Sequence, residues 1–117
     1  MNKRGYSCAV EVAVDAIAGR WTPVILAHLK EGVHRYGQLR RRIPGLSEKM
    51  LTQRLRRLEA DGLVERRVHE DDGEVPAPVS YRLTEEGQSL APVLQALYDW
   101  GARRAAERGI EVPDPVD

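Results

Sequence analysis

Three short helical stripes of apolar residues follow one another in the N-terminal half of the chain. Val10, Val14 and Ile17 fall at i, i+4 and i+7, which predicts a helix from about Cys8 to Ala18 that stops at Gly19. Ile25, Leu26 and Leu29 form the next stripe. Thr22 is its predicted N-cap, Pro23 takes the first helical position, where a missing N–H costs nothing, and Gly32 is the stop. Tyr36, Leu39 and Ile43 mark a third helix, ended by Pro44 and Gly45. A fourth is specified at both ends. Ser47 is a good N-cap and Leu46 and Leu51 are spaced as a hydrophobic staple, while Met50 stands where a capping box would need Glu or Gln. Leu51, Leu55 and Leu58 give its inward face, and Gly62 occupies the C′ position of a Schellman ending with Leu63 placed to pack back on Leu58.

Beyond Gly62 the period falls from 3.6 to 2. In "LVERRVH" Val64, Arg66 and Val68 alternate with Glu65, Arg67 and His69; in "VSYRL" Val79, Tyr81 and Leu83 alternate with Ser80 and Arg82. Two such strands joined by "EDDGEVPAP" make a hairpin. Thr84 then caps a last helix carrying Leu90, Val93, Leu94, Leu97 and Trp100, and Pro92 predicts a kink or short break near Gln88 to Pro92. The expected fold is mainly α with a small β-hairpin wing, an α+β winged helix-turn-helix. One domain spans 1–108, and an acidic, proline-containing tail, 109–117, is expected to fray.

Composition bounds the role. A chain of 117 residues that is 42% hydrophobic suits one domain with a small core. No apolar run approaches the roughly 18 residues that span a bilayer, and "MNKRGYSCAVEV" lacks a signal core, so a cytoplasmic protein without a membrane partner is expected. The single cysteine excludes an internal disulfide. Total charge is zero, with 18 basic and 18 acidic residues, yet between Arg35 and Arg67 ten basic residues stand against four acidic ones, a local +6. Local concentration of positive charge, rather than the total, governs attraction to a polyanion.

A short helix, a "PG" turn, a capped helix and a hairpin follow the order of a winged helix-turn-helix, whose second motif helix commonly enters the major groove. With the leucines inward, Lys49, Met50, Gln53, Arg56 and Arg57 point outward, with Ser47 and Thr52 towards the N-terminal flank. Residues of these types can recognise a duplex. Lys and Arg bond guanine edges or phosphates, Gln reads adenine, Ser and Thr do either, and Met50 touches a thymine methyl or packs on a neighbouring helix. Arg40, Arg41 and Arg42 are expected near phosphates. Lys49, Thr52 and Gln53 are expected to read bases, while Arg54, Arg57, Arg66 and Arg67 mainly hold the backbone. Glu70, Asp71, Asp72 and Glu74 at the hairpin tip predict that the tip stays away from DNA.

The ordered blocks "AGRWTPVIL", "RYGQLRRRIPGLSEKMLTQRLRRLEADGLVER", "YRLTEEGQSL" and "LYDWG" resemble the HxlR family of bacterial winged helix-turn-helix regulators, relatives of the MarR type, from Cys8 to about Ala102. The resemblance implies a homodimeric DNA-binding transcription factor, usually a repressor, with the N- and C-terminal helices of the 1–108 domain used for dimerisation. Some members use an N-terminal cysteine to sense oxidants or electrophiles. The chain departs from the pattern in having Ala9 after Cys8 instead of proline, Ala18 for a glycine, Tyr36 for phenylalanine, Gln38 for glutamate, and a longer acidic wing loop.

Cys8 lies at or before a helix N-terminus with Lys3 and Arg4 nearby, and both influences favour a thiolate; the alternative is an inert small residue in the core. His28, His34 and His69 are not at metal-ligand spacing, and no phosphate-binding glycine loop or protease signature occurs, so neither metal, cofactor nor catalytic residue is expected. Val10 and Val14 of the first helix and Leu90, Leu94, Leu97, Tyr98 and Trp100 of the last are candidates for a two-fold dimer interface, against the alternative that they are intramolecular core. The partners expected are double-stranded DNA carrying an inverted-repeat operator, a second copy of the chain, and a small-molecule or oxidant effector. A winged helix used as a protein-interaction module is the alternative from another class; it predicts no salt-steep DNA affinity. A small-molecule-responsive regulator without redox function is the alternative within the class.

Overall fold

The computed structural model describes residues 5–113; Lys3 and Arg4 and the last four residues of the tail lie outside the described residues. Helix α1 spans Ala9–Ala16, α2 Thr22–Lys30, α3 Tyr36–Arg42 and α4 Glu48–Ala60; strands β1 Val64–Val68 and β2 Val79–Leu83 follow, then α5 Glu85–Gln88 and α6 Ala91–Arg108. The winged helix-turn-helix order is present. Ile25, Leu26 and Leu29 from α2, Leu39 and Ile43 from α3, and Leu51, Leu55 and Leu58 from α4 meet in one core, closed by Val64, Tyr81 and Leu83 of the hairpin and Leu94 of α6.

Local chemistry sets each boundary. Ser47 Oγ accepts the Met50 N–H at 3.1 Å, which starts α4. At the other end Gly62 has φ +79°, its N–H meets the Glu59 carbonyl and that of Leu63 meets the Leu58 carbonyl, each at 3.0 Å: a Schellman ending. Leu46 and Leu51 are both buried, as a staple requires. Helix α2 is capped one residue earlier than expected. Trp21 is the N-cap, and Thr22 is buried as the first helical residue. Pro23 fits either way, because no N–H of the first turn has an intrahelical partner.

The two strands pair antiparallel, Val64 with Leu83, Arg66 with Tyr81 and Val68 with Val79. The segment before α3 joins them: Tyr81 N–H donates to the His34 carbonyl at 2.9 Å and Arg35 bridges Ser80. The hairpin connection starts with a 3-10 turn, Glu70–Asp72, followed by Gly73 at φ +77°. The expected last helix is two helices. Thr84 caps α5 by accepting the Gly87 N–H at 3.1 Å, and Pro92 sits in the first turn of α6, where it lacks no partner. Thr84 Oγ1 also donates to the Gly62 carbonyl at 2.6 Å, so one side chain links the end of α4 to the start of α5. Helix α6 ends at Gly109, φ +67°.

Candidate nucleic-acid interface

The leucine face of α4 is wholly inside, so the opposite face is what the fold presents. Ser47, Lys49, Gln53, Arg56 and Arg57 are exposed there. Two residues expected to serve DNA turn elsewhere. Met50 is half-buried and packs against the core, because it lies one helical turn before Arg54 on the flank of the leucine stripe. Arg54 lies three residues after Leu51 and four before Leu58, and that spacing carries it inward. Its guanidinium rests beside Gly19, where an added Cβ would lie 3.5 Å from Nε, and its buried Nε has no hydrogen-bond partner among the described residues.

The turn into α4 is packed by Trp21. A Cβ on Gly45 would stand 3.0 Å from the indole, so the ring packs tightly on this glycine and would have to give by a few tenths of an ångström to admit a side chain; its backbone is not left-handed. Arg20 covers the indole of Trp21 at 4.6 Å from the ring centroid. On α3, Arg40 and Arg41 are exposed, and Arg40 Nη1 lies 3.3 Å from Glu48 Oε1 in an exposed ion pair of small energetic weight.

Between α3, α4 and the hairpin runs a cleft of ≈ 450 Å³. Arg35, Arg56 and Arg66 stand on it from three different parts of the chain, with Tyr36, Thr52 and Tyr81 between them. Arg66 is thus brought to the face of α4, whereas Arg67, one residue on, points to the opposite side of the hairpin. That opposite side is tied by the cross-strand ion pair of Arg82 with Glu65. In the sequence Tyr36 figures as an apolar marker and as a departure from the family's phenylalanine, and Arg35 only within the basic count; the signal for both was their position at the start of the motif's first helix.

Cys8 is the N-cap of α1 and is exposed; its side chain makes no capping bond. The first turn also carries Glu11, whose carboxylate accepts from Ser7 Oγ at 2.7 Å, which holds its pKa below the usual range. No residue of α1 is buried: Val10 is 67% and Val14 56% exposed. On α6, Leu97, Tyr98 and Trp100 are exposed, whereas Leu94 is only 3% exposed; Leu90, just before the helix, is half-buried against the core. Leu94 is therefore an intramolecular core residue, a correction to its place on the dimer face: α2 already covers it. Leu97, Tyr98 and Val24 line an open apolar groove of ≈ 370 Å³ between α2 and α6, with Val112 and Pro113 of the tail also on its wall. His28 also lines it, with its Nδ1 buried and unpartnered among the described residues. Burial, and secondarily the charge of Arg42, holds His28 below its usual pKa.

No described helix is long and apolar enough to cross a membrane, and the described residues hold no cluster of metal-ligating side chains. The HxlR-like helix-turn-helix family model matches residues 16–108. An HTH-type transcriptional regulator of Methanothermobacter thermautotrophicus is 48% identical over 96 residues, 82% of this chain and 71% of that protein. The HTH-type transcriptional regulator YtcD of Bacillus subtilis is 45% identical over 102 residues, 87% of this chain and 79% of that protein. Among solved structures, the redox regulator HypR in its reduced form superposes with a TM-score of 0.77 at 37% identity, covering 87% of this chain and 99% of that one.

Proposed function

The chain belongs to the HxlR-like helix-turn-helix family, and from that premise we propose that it is a repressor that binds an inverted-repeat operator as a homodimer. Its family and relatives make it a transcriptional regulator with a DNA-binding helix-turn-helix fold, not an enzyme. The observation that carries the finer reading is the outward face of α4: Lys49, Gln53, Arg56 and Arg57 exposed together, with Arg66 brought alongside from the hairpin. Lys49 and Gln53 reach base edges in the major groove, Arg56 and Arg57 neutralise phosphates, and Arg40, Arg41 and Arg66 hold flanking backbone. The acidic hairpin tip, with Glu70, Asp71 and Glu74, is kept off the DNA by like charge.

Dimerisation uses α1 and the exposed side of α6. Val10 and Val14 stand exposed on α1, and Leu97, Tyr98 and Trp100 are the matching apolar residues on α6. Two-fold symmetry then places the half-sites about one DNA turn, roughly 34 Å, or a multiple of it apart. Cys8, exposed at the start of α1, gives the dimer its response to oxidants. Two Cys8 thiols from two copies form one disulfide, giving up two protons and two electrons to an oxidant such as a peroxide. Likeness to the redox regulator HypR supports this role.

Selection of duplexes from a random pool by the purified protein tests the reading. Enrichment of an inverted repeat, weakened by oxidant in wild type and not in Cys8→Ser, is expected. Enrichment of nothing in either state overturns it.

A further inference from the structure

The Tyr36 hydroxyl lies 2.9 Å from Thr52 Oγ1 and 3.3 Å from the carbonyl oxygen of Glu48. A carbonyl only accepts, and a phenol has a single hydrogen. One arrangement satisfies both contacts: Tyr36 donates to the Glu48 carbonyl and accepts the hydrogen of Thr52. Thr52 itself stands half-buried on the cleft between α4 and the hairpin, next to the exposed Gln53. An unrestrained threonine there would be a generalist, able to donate to the N7 of either purine or to accept from an exocyclic amine. With its hydrogen committed to Tyr36, Thr52 can no longer donate to a purine N7; it keeps an acceptor lone pair and its methyl, in a rotamer fixed by the Oγ1 contact. The Tyr36 ring packs against the core, so the phenol cannot swing aside. A phenylalanine would fill the same space, and the hydroxyl is all that tyrosine adds.

We propose that Tyr36 is a positioning residue for base recognition: it takes the hydrogen-bond donor of Thr52 away from the purine N7 and leaves its methyl presented to a thymine methyl. This rests on the DNA-reading role of α4 proposed above.

The test is a two-by-two comparison of wild type, Tyr36→Phe, Thr52→Val and the double variant, each selecting duplexes from a random pool and each checked for its urea midpoint. Wild type and Thr52→Val enrich thymine at the same half-site position. Tyr36→Phe frees the hydroxyl and shifts that position towards guanine or adenine by about 3- to 10-fold, the worth of one hydrogen bond. The double variant returns to thymine, because valine has no hydroxyl to release. The coupling is overturned if Tyr36→Phe selects the same sites as wild type, if its effect persists in the double variant, or if Thr52→Val alone changes the preference. Should wild type enrich no inverted repeat, the reading of α4 itself falls and takes this inference with it.

Discussion

A methyl group added at Gly87 would stand 2.0 Å from the carbonyl oxygen of Leu63 and 3.2 Å from Cβ of Leu83. Carbon and oxygen in ordinary contact lie more than about 3.3 Å apart, so the backbone must open by about 1 Å. That oxygen cannot rotate away. It accepts the Thr84 N–H at 3.0 Å, and Thr84 in turn bonds the Gly62 carbonyl and the Gly87 N–H. Relieving the clash therefore disturbs the junction where α4 ends, β1 starts and α5 is capped. Overpacking costs about 1–3 kcal/mol and one lost hydrogen bond about 0.5–1.5 kcal/mol, offset by the roughly 0.5–1 kcal/mol by which alanine outdoes glycine in a helix. A net loss of about 2 kcal/mol, with a urea slope of about 1–2 kcal/mol/M, lowers the unfolding midpoint of Gly87→Ala by roughly 1–2 M. A variant as stable as wild type, with an unchanged slope, refutes this account of the junction.

Other outcomes follow from the same geometry. His28 is held below its usual pKa of 6.5, so the unfolded chain takes up a proton that the folded chain refuses. Its contribution is full above about pH 6.5 and is lost as pH falls below it. The urea midpoint should drop less between pH 7.5 and 5.5 in His28→Gln than in wild type, and an equal drop contradicts the assignment. Arg57→Ala should lower the slope of log affinity against log salt by about one phosphate contact and leave sequence preference alone, whereas Arg54→Met should leave the slope unchanged. Leu97→Glu should shift sedimentation towards the monomer; a dimer of wild-type affinity would place the interface elsewhere.

Helix α4 was readable from its residues because every signal was local: an N-cap three residues before the N–H it accepts, a leucine stripe one turn apart, and a glycine at C′. Arg54 was also readable by its spacing from Leu51 and Leu58, but its charge suggested an outward role that the periodicity contradicts. Leu94 and Leu97 could not be separated in advance, because α6 is apolar over a wide arc and only the position of α2 decides which part is covered. The pairing of His34 and Arg35 with β2, the contact of Tyr36 with Thr52, the close approach of Trp21 to Gly45 and the need for glycine at 87 all depend on distant segments meeting. No local propensity encodes them. Alternation along β1 did separate Arg66 from Arg67, although only the meeting of the hairpin with α4 showed which of them stands on the cleft.

Whether the outward face of α4 reads bases, rather than merely attracting DNA, is the central question for this protein. Its most direct test is the affinity of wild type and Gln53→Ala for the selected operator and for a scrambled duplex of equal length at one salt concentration. Gln53→Ala is expected to bind the operator about 5- to 100-fold more weakly, the worth of one bidentate base contact, while its affinity for the scrambled duplex is unchanged. Equal loss on both duplexes, or none on either, would contradict base reading by α4.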